Sequence, residues 1–285
     1  MRLLTATSSI LVVAAALAAC GGDNNTVFPD AREAPDADTS CKPGPDAAPS
    51  GKALGDVSGT WAVVELSTAR VSQPLNSEQI SRNLYTMVIT QTGSDLAIVE
   101  HTCDIQVDDV TGIETTRMLP AVWAGLPVLD RVGKLVEDPV GTFNFTTEDA
   151  VHLRGVTMTN PATDPMPARD GGVADGVAIV DSDMDDHPGV TLLLDGLLRG
   201  QAYVVQRDHN AYTGTQDSPD LIAGHNVWGS EQVYLGSMPD SISELNIQAQ
   251  PDPDGSKHTF QLVRVPDGSD CAYVVANQCT LFAGK

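Results

Sequence analysis

The stretch Val180 to Val190, VDSDMDDHPGV, places Asp181, Asp183, Asp185 and Asp186 within one short loop ahead of a His-Pro-Gly turn. Alternate spacing lets a tight loop turn the first three carboxylates toward a common point. A hard cation such as calcium, which takes about six to eight oxygens, suits that density. Asp170, Asp175 or Asp195 and the His187 carbonyl are candidates to complete the shell. The alternative is a solvated acidic turn whose charges keep strand edges from pairing. Spacing alone leaves both open.

Other chemistry is sparse. His101, His152, His187, His209, His225 and His258 are scattered singly. His101 and Cys103 share strand parity and could form a ligand pair, with an ordinary hydrogen-bonded strand histidine as the alternative. Asp208-His209 and a distant serine could in principle assemble a triad. There is no Gly-x-Ser-x-Gly elbow, no His-Glu-x-x-His and no glycine-rich phosphate loop before a helix. Nothing here argues positively for an enzyme, and a hydrolase site that assembles only in three dimensions stays as an alternative.

Charge narrows the partners. A formal net charge of −22 argues against nucleic acid and against anionic headgroups, both of which need clustered Lys and Arg. Cysteine usage fits an oxidising compartment. Besides Cys20, the chain has Cys41, Cys103, Cys271 and Cys279, an even number that allows two disulfides in three connectivities. A Cys271–Cys279 hairpin staple would centre its turn on the β-branched Val275, whereas Ala276-Asn277 is the more natural corner. A bridge from Cys103 to one of that pair is an equal possibility. No Cys-x-x-Cys occurs.

The elements that must position these residues read as short strands. GTWAVVEL alternates Trp61 and Val63 against Ala62, Val64 and Leu66, and Thr92 to Asp95 marks a hairpin. Runs VGTFNFTT, VHLRGVTM, DGVAIV, GVTLLLDG, AYVVQR and EQVYLG follow, and Pro253 to Ser256 suggests a second hairpin. Only LPAVWAGLP and NSEQISRNL look helical, the latter capped by Asn76. The expectation is a mainly β domain over 57–285, an antiparallel barrel or sandwich. Residues 20–56, rich in Pro, Asp and Ala, read as a disordered tether.

Three resemblances extend this reading. Residues 1–19 form an export signal, with Arg2 before the apolar run Leu3 to Leu17. They end in Leu17-Ala18-Ala19-Cys20, which resembles the lipobox of bacterial lipoproteins. That implies lipidation of Cys20 and anchoring of the envelope protein by its acyl chains (palmitate among them). Gly21 stands where that family uses Asp for inner-membrane retention, which implies the outer membrane.

The acidic loop resembles EF-hand loops and the Asp loops of thrombospondin type 3 repeats, which implies calcium at Asp181, Asp183 and Asp185. It departs from the EF-hand at Asp186 and Leu192, where glycine and glutamate are expected, and its flanks read as strands.

Gly59-Thr60-Trp61 resembles the opening motif of lipocalin-like calycin barrels. That implies a Trp at the barrel base with a late-strand Arg over it, a part open to Arg264. The family's Thr-Asp-Tyr motif is missing. The expected function is a lipid-anchored binding or surface-structural module without catalysis. A carrier of a small apolar ligand inside the barrel is the alternative, and an internal cavity is what separates the two.

The lipobox reading makes a direct prediction. Labelled fatty acid enters the wild-type protein, which sediments with membranes, while Cys20→Ala stays unlabelled and soluble. Labelling of the alanine variant refutes the assignment.

Overall fold

The computed structural model describes residues 50–72, 76–110 and 114–283, all within a compact unit running from Asp38 to Lys285. The signal segment, Cys20, Cys41 and most of the tether lie outside the described residues. Residues 50–56 are described, and they bind to the domain. The Ser50 N–H donates to Asp220 Oδ2 (3.1 Å) and the Gly55 N–H to Gln216 Oε1 (2.7 Å). Composition marks this segment as spacer because its partners are side chains some 160 residues away in the chain.

Among the described residues there are fourteen strands: β1 Gly59–Val71, β2 Glu78–Thr92, β3 Asp95–Asp109, β4 Thr115–Met118, β5 Leu129–Glu137, β6 Phe143–Thr147, β7 Ala150–Arg154, β8 Val156–Met158, β9 Val177–Ile179, β10 Val190–Asp195, β11 Gly200–Ser218, β12 Leu221–Met238, β13 Ala249–Pro251 and β14 Thr259–Arg264. The helices are α1 Ala121–Gly125, α2 Ser241–Glu244 and α3 Cys271–Leu281. The fold is mainly β and antiparallel, as expected. β8 and β9 form a separate two-stranded sheet. Among the described residues no helix is long and apolar enough to cross a membrane.

The pairings return on themselves. β3, β2, β1, β14, β12 and β11 lie side by side, and two bridges join β11 back to β3. At one end β6 and β5 make the link; at the other, β10 and β4 do. The result is a barrel closed at two levels, with β7 pairing β11 between them. The Thr92↔Asp95 hairpin forms as expected, with Gly93 at φ +63.

Alternation along each strand sorts the layers. Trp61, Val63, Met87, Ile98, Phe145 and Leu262 belong to one apolar cluster, and Ile105, Leu192, Val204 and Tyr234 to another. The opposite faces of β1 and β2, through Ala62, Val64 and Leu84, are covered by Val274 and Phe282 of the α3 region. Trp61 is fully buried, donates Nε1–H to the Val57 carbonyl (2.9 Å), and lies 4.2 Å below the Arg264 guanidinium.

Three local expectations are overturned. NSEQISRNL is not helical but the start of β2, because Gln79, Ser81 and Asn83 alternate into the interior while both edges pair, with β1 and β3. Asn76 sits at φ +43 before the strand rather than capping a helix. The cysteine-bearing C-terminal segment is not a strand with a corner at Ala276-Asn277. It is α3, started by Asp270, whose carboxylate accepts from the Tyr273 N–H (2.9 Å).

The second hairpin is absent as well. β13 and β14 both pair with β1, end to end, and the insert between them is held by buried Asp252 and His258. Asp252 takes Arg70 (2.9 Å) and Lys257 (3.2 Å), and His258 accepts the Thr68 N–H at Nδ1 (3.2 Å). Polar turn residues thus serve a strand interruption rather than a reversal.

Candidate functional site

A polar belt lies between the two apolar layers. Successive inward positions on β1 supply Glu65 and Ser67, β2 Asn83 and Tyr85, β3 Glu100, β5 Arg131, β7 His152 and Arg154, and β11 Asp208, Asn210 and Tyr212. β7 enters here because Gly155, at φ +69, ends it against Gly189, where any Cβ would strike backbone. The expected run VHLRGVTM is therefore two strands.

Glu65 is the centre of the belt and is only 2% exposed. Its Oε2 accepts from Asn210 Nδ2 (2.6 Å) and the Tyr212 hydroxyl (2.7 Å); Oε1 accepts from Ser67 Oγ (2.9 Å) and Asn83 Nδ2 (3.2 Å). All four donors are neutral. The guanidiniums belong elsewhere: Arg131 pairs with Glu100 (3.2 Å) and Arg154 with Asp208. Arg131 also donates to Asn210 Oδ1 (2.6 Å) and lies 4.7 Å from the Tyr212 ring centre.

These surroundings shift two protonation equilibria in opposite directions. Burial, opposed by Arg131 and reinforced by Glu65, pushes the Glu100 carboxyl up to about 7. Burial, then the charges of Arg154 and Arg131, holds the His152 imidazole down at about 3, although its Nε2 lies 3.4 Å from Glu100 Oε1.

Above the belt is a cavity of about 180 Å³. Glu65, His152, Arg154, Asp208, Gln206 and Gln232 line its polar end; Val107, Met118, Leu192, Leu194, Tyr234 and Ile247 line much of the rest. A pocket near 150 Å³ accommodates a benzene-sized molecule, so a small organic ligand fits. The barrel interior is open in part.

The acidic loop lies apart from this cavity. Asp181, Asp183 and Asp185 do come together, each offering an oxygen within 4.8 Å of the others. Asp181 accepts the N–H groups of Asp185 (3.3 Å) and Asp186 (3.0 Å), and Asp183 Oδ2 that of Thr191 (2.7 Å). Asp185 takes the Thr191 hydroxyl (2.6 Å) and the His187 N–H (3.0 Å). Asp183 Oδ1 is buried without a donor. Burial first, then Asp185 and Asp181, pushes the Asp183 carboxyl up to about 6. Burial also works to raise Asp181, but the N–H donors of Asp186 and Asp185 outweigh it and hold that group below its ordinary value. Asp170, Asp175 and Asp195 add no carboxylate to the group; Asp170 accepts from the Gly172 N–H and Asp195 faces Arg199.

The remaining expectations resolve as follows. Cys103 is bonded to Cys271, joining β3 to the start of α3 across 168 residues. That removes Cys103 as a ligand partner for His101, whose Nδ1 lies 3.5 Å from Cys271 Sγ. Cys279 is no free thiol either. Asp208 and His209 face different partners, Arg154 and Asp149, so the adjacent pair does not act as a unit. No protein-family model matches this chain, nor does any curated protein or solved structure.

The belt makes stability depend on pH with a sign that can be worked out. Glu100 keeps a proton in the folded state that the unfolded chain loses near 4.5, so its contribution falls as pH rises from 4.5 through 7. His152 is neutral when folded and takes a proton near 6.5 when unfolded, so its contribution falls as pH drops from 6.5 toward 3. Between 4.5 and 6.5 the two oppose. Glu100→Gln removes the first alone, so its stability relative to wild type rises by about 2–3 kcal/mol from pH 4.5 to 7.5. Urea unfolding across that range measures it, and a constant difference contradicts the assignment.

Proposed function

We propose that this chain is a lipid-anchored cell-envelope protein whose β-barrel binds a small molecule in its interior. The observation that carries the reading is the cavity on the polar belt, with carboxylates and amides at one end and aliphatic walls elsewhere. Binding sites for small molecules combine an apolar lining with a few placed polar groups. The sequence supports the envelope setting through Leu17-Ala18-Ala19-Cys20, and the outer membrane through Gly21. Trp61 beneath Arg264 supports a calycin-like interpretation of the barrel, with its base closed and its ligand inside. The mixed lining favours an amphiphile over the wholly apolar ligand that the opening motif implies.

Cyclohexanol, of seven heavy atoms, is a suitable probe. Calorimetry shows saturable binding to the wild type and none to Ala249→Trp, which fills the cavity from β13 without touching the belt. Absence of heat with the wild-type protein at millimolar probe overturns the reading.

A second reading, for the acidic loop, rests on the buried and donorless Asp183 Oδ1. A calcium ion on Asp181, Asp183 and Asp185 supplies the positive partner that this oxygen lacks, with other oxygens coming from water. Because the ion binds the folded state, it stabilises by about 2.7 kcal/mol at a hundredfold excess over Kd. Calcium therefore raises the wild-type melting temperature and chelator reverses it, while Asp183→Asn responds to neither. An unmoved melting temperature at millimolar calcium and constant ionic strength refutes the site.

A further inference from the structure

The buried belt carries unequal numbers of opposite charges. Glu65, Glu100 and Asp208 supply three carboxylates; Arg131 and Arg154 supply two guanidiniums. Each guanidinium is committed to one carboxylate, at Glu100 and Asp208. Among the described residues Glu65 has no ion-pair partner and is held by neutral donors alone. His152, the remaining basic group, is kept uncharged by burial and by the two arginines. A buried charge without a counter-ion is costly, and Glu65 forms part of the cavity wall.

Beyond the belt and Tyr234, the titratable lining is Glu114 and His209, the latter turned to its own carboxylate, Asp149. Glu114, 3% exposed, is a further carboxylate on the wall. Trp228 and Tyr234 contribute aromatic surface, to which organic cations are attracted. The whole chain, at −22, draws cations toward it and repels anions. On the reading that the cavity binds a small molecule, we infer that its ligand is an organic monocation, an ammonium group on an apolar body. The ammonium sits at the Glu65 end and completes the charge balance of the belt, while the body lies among Leu192, Leu194 and Ile247.

Binding and proton uptake then compete for the same excess negative charge. Glu100 faces Arg131 of β5, His152 of β7, Glu65 of β1, Tyr85 of β2 and Tyr212 of β11. When Glu100 is protonated the belt is already neutral, so a cation is held more weakly.

Three probes of one shape separate the possibilities by calorimetry on the wild-type protein: cyclohexylammonium, cyclohexanol and cyclohexanecarboxylate. At pH 8 the ammonium binds at least about tenfold more tightly than the alcohol, and the carboxylate more weakly than both, as expected for an unpaired charge nearby. An alkylammonium stays charged to about pH 9, so a rise in its affinity from pH 5.5 to 8, absent for cyclohexanol, reports the belt. Glu65→Gln brings the ammonium down to the affinity of the alcohol; should that variant not fold, the pH series on the wild type decides. Equal binding of alcohol and ammonium, or a preference for the carboxylate, overturns the inference and leaves interior binding intact. Binding of none of the three overturns interior binding itself.

Discussion

β11 and β12 run 19 and 18 residues, roughly three times the common strand length of about six. No single short strand closes a barrel along such a length. The chain solves this with two bridges at different heights, β6–β5 and β10–β4, and each height has its own apolar layer. Between them β7 supplies a five-residue segment on β11, and the interior there is neither layer's core. The belt of charge and the cavity occupy that interval. The interior site is thus a consequence of strands that outrun their closures.

Stability does not explain what fills the interval. Replacing buried ion pairs by well-packed apolar side chains is often neutral or stabilising. This barrel instead buries Glu100 with Arg131 and sets Glu65 among four neutral donors. Such an arrangement holds Glu65 and Asn210 in fixed orientations, because both Glu65 oxygens and the Asn210 amide have designated partners. On the proposed reading, fixed polar groups under a cavity select the ligand. Away from one, they would only weaken the fold.

The sequence showed the class of fold and parts of its layout. Alternation in GTWAVVEL, the Gly93 turn and the runs that fall in β6, β9, β10, β11 and β12 read correctly, because period-two burial and turn residues are local signals. What failed was non-local. NSEQISRNL reads as helical in isolation, yet pairing with β1 and β3 on both sides overrides propensity. Pro253-Asp254-Gly255-Ser256 has hairpin chemistry, but β1 is long enough to accept both flanking segments end to end. The acidic loop was visible because its three carboxylates are neighbours in the chain. The belt was not, since it takes one to three residues from each of six strands, and Glu65 and Asn210 are 145 positions apart. No motif search detects such a site.

The geometry of the two barrel ends also bears on how an anchored protein could exchange a ligand. At the Trp61 end, Arg264 donates to the carbonyls of Ser58 (2.6 Å), Asp56 (2.7 Å) and Pro219 (3.0 Å), sealing the base with backbone as well as with the indole. Ser50 and Gly55 are held at this same end, through Asp220 and Gln216. The first described residues are therefore held at the closed base. The cavity lies toward the other end of β1, where Ala69 and Val71, paired with Gln79 and Ala249, line it. On the proposed reading, the route for a ligand lies at the end away from Trp61, clear of the contacts made by Ser50 and Gly55.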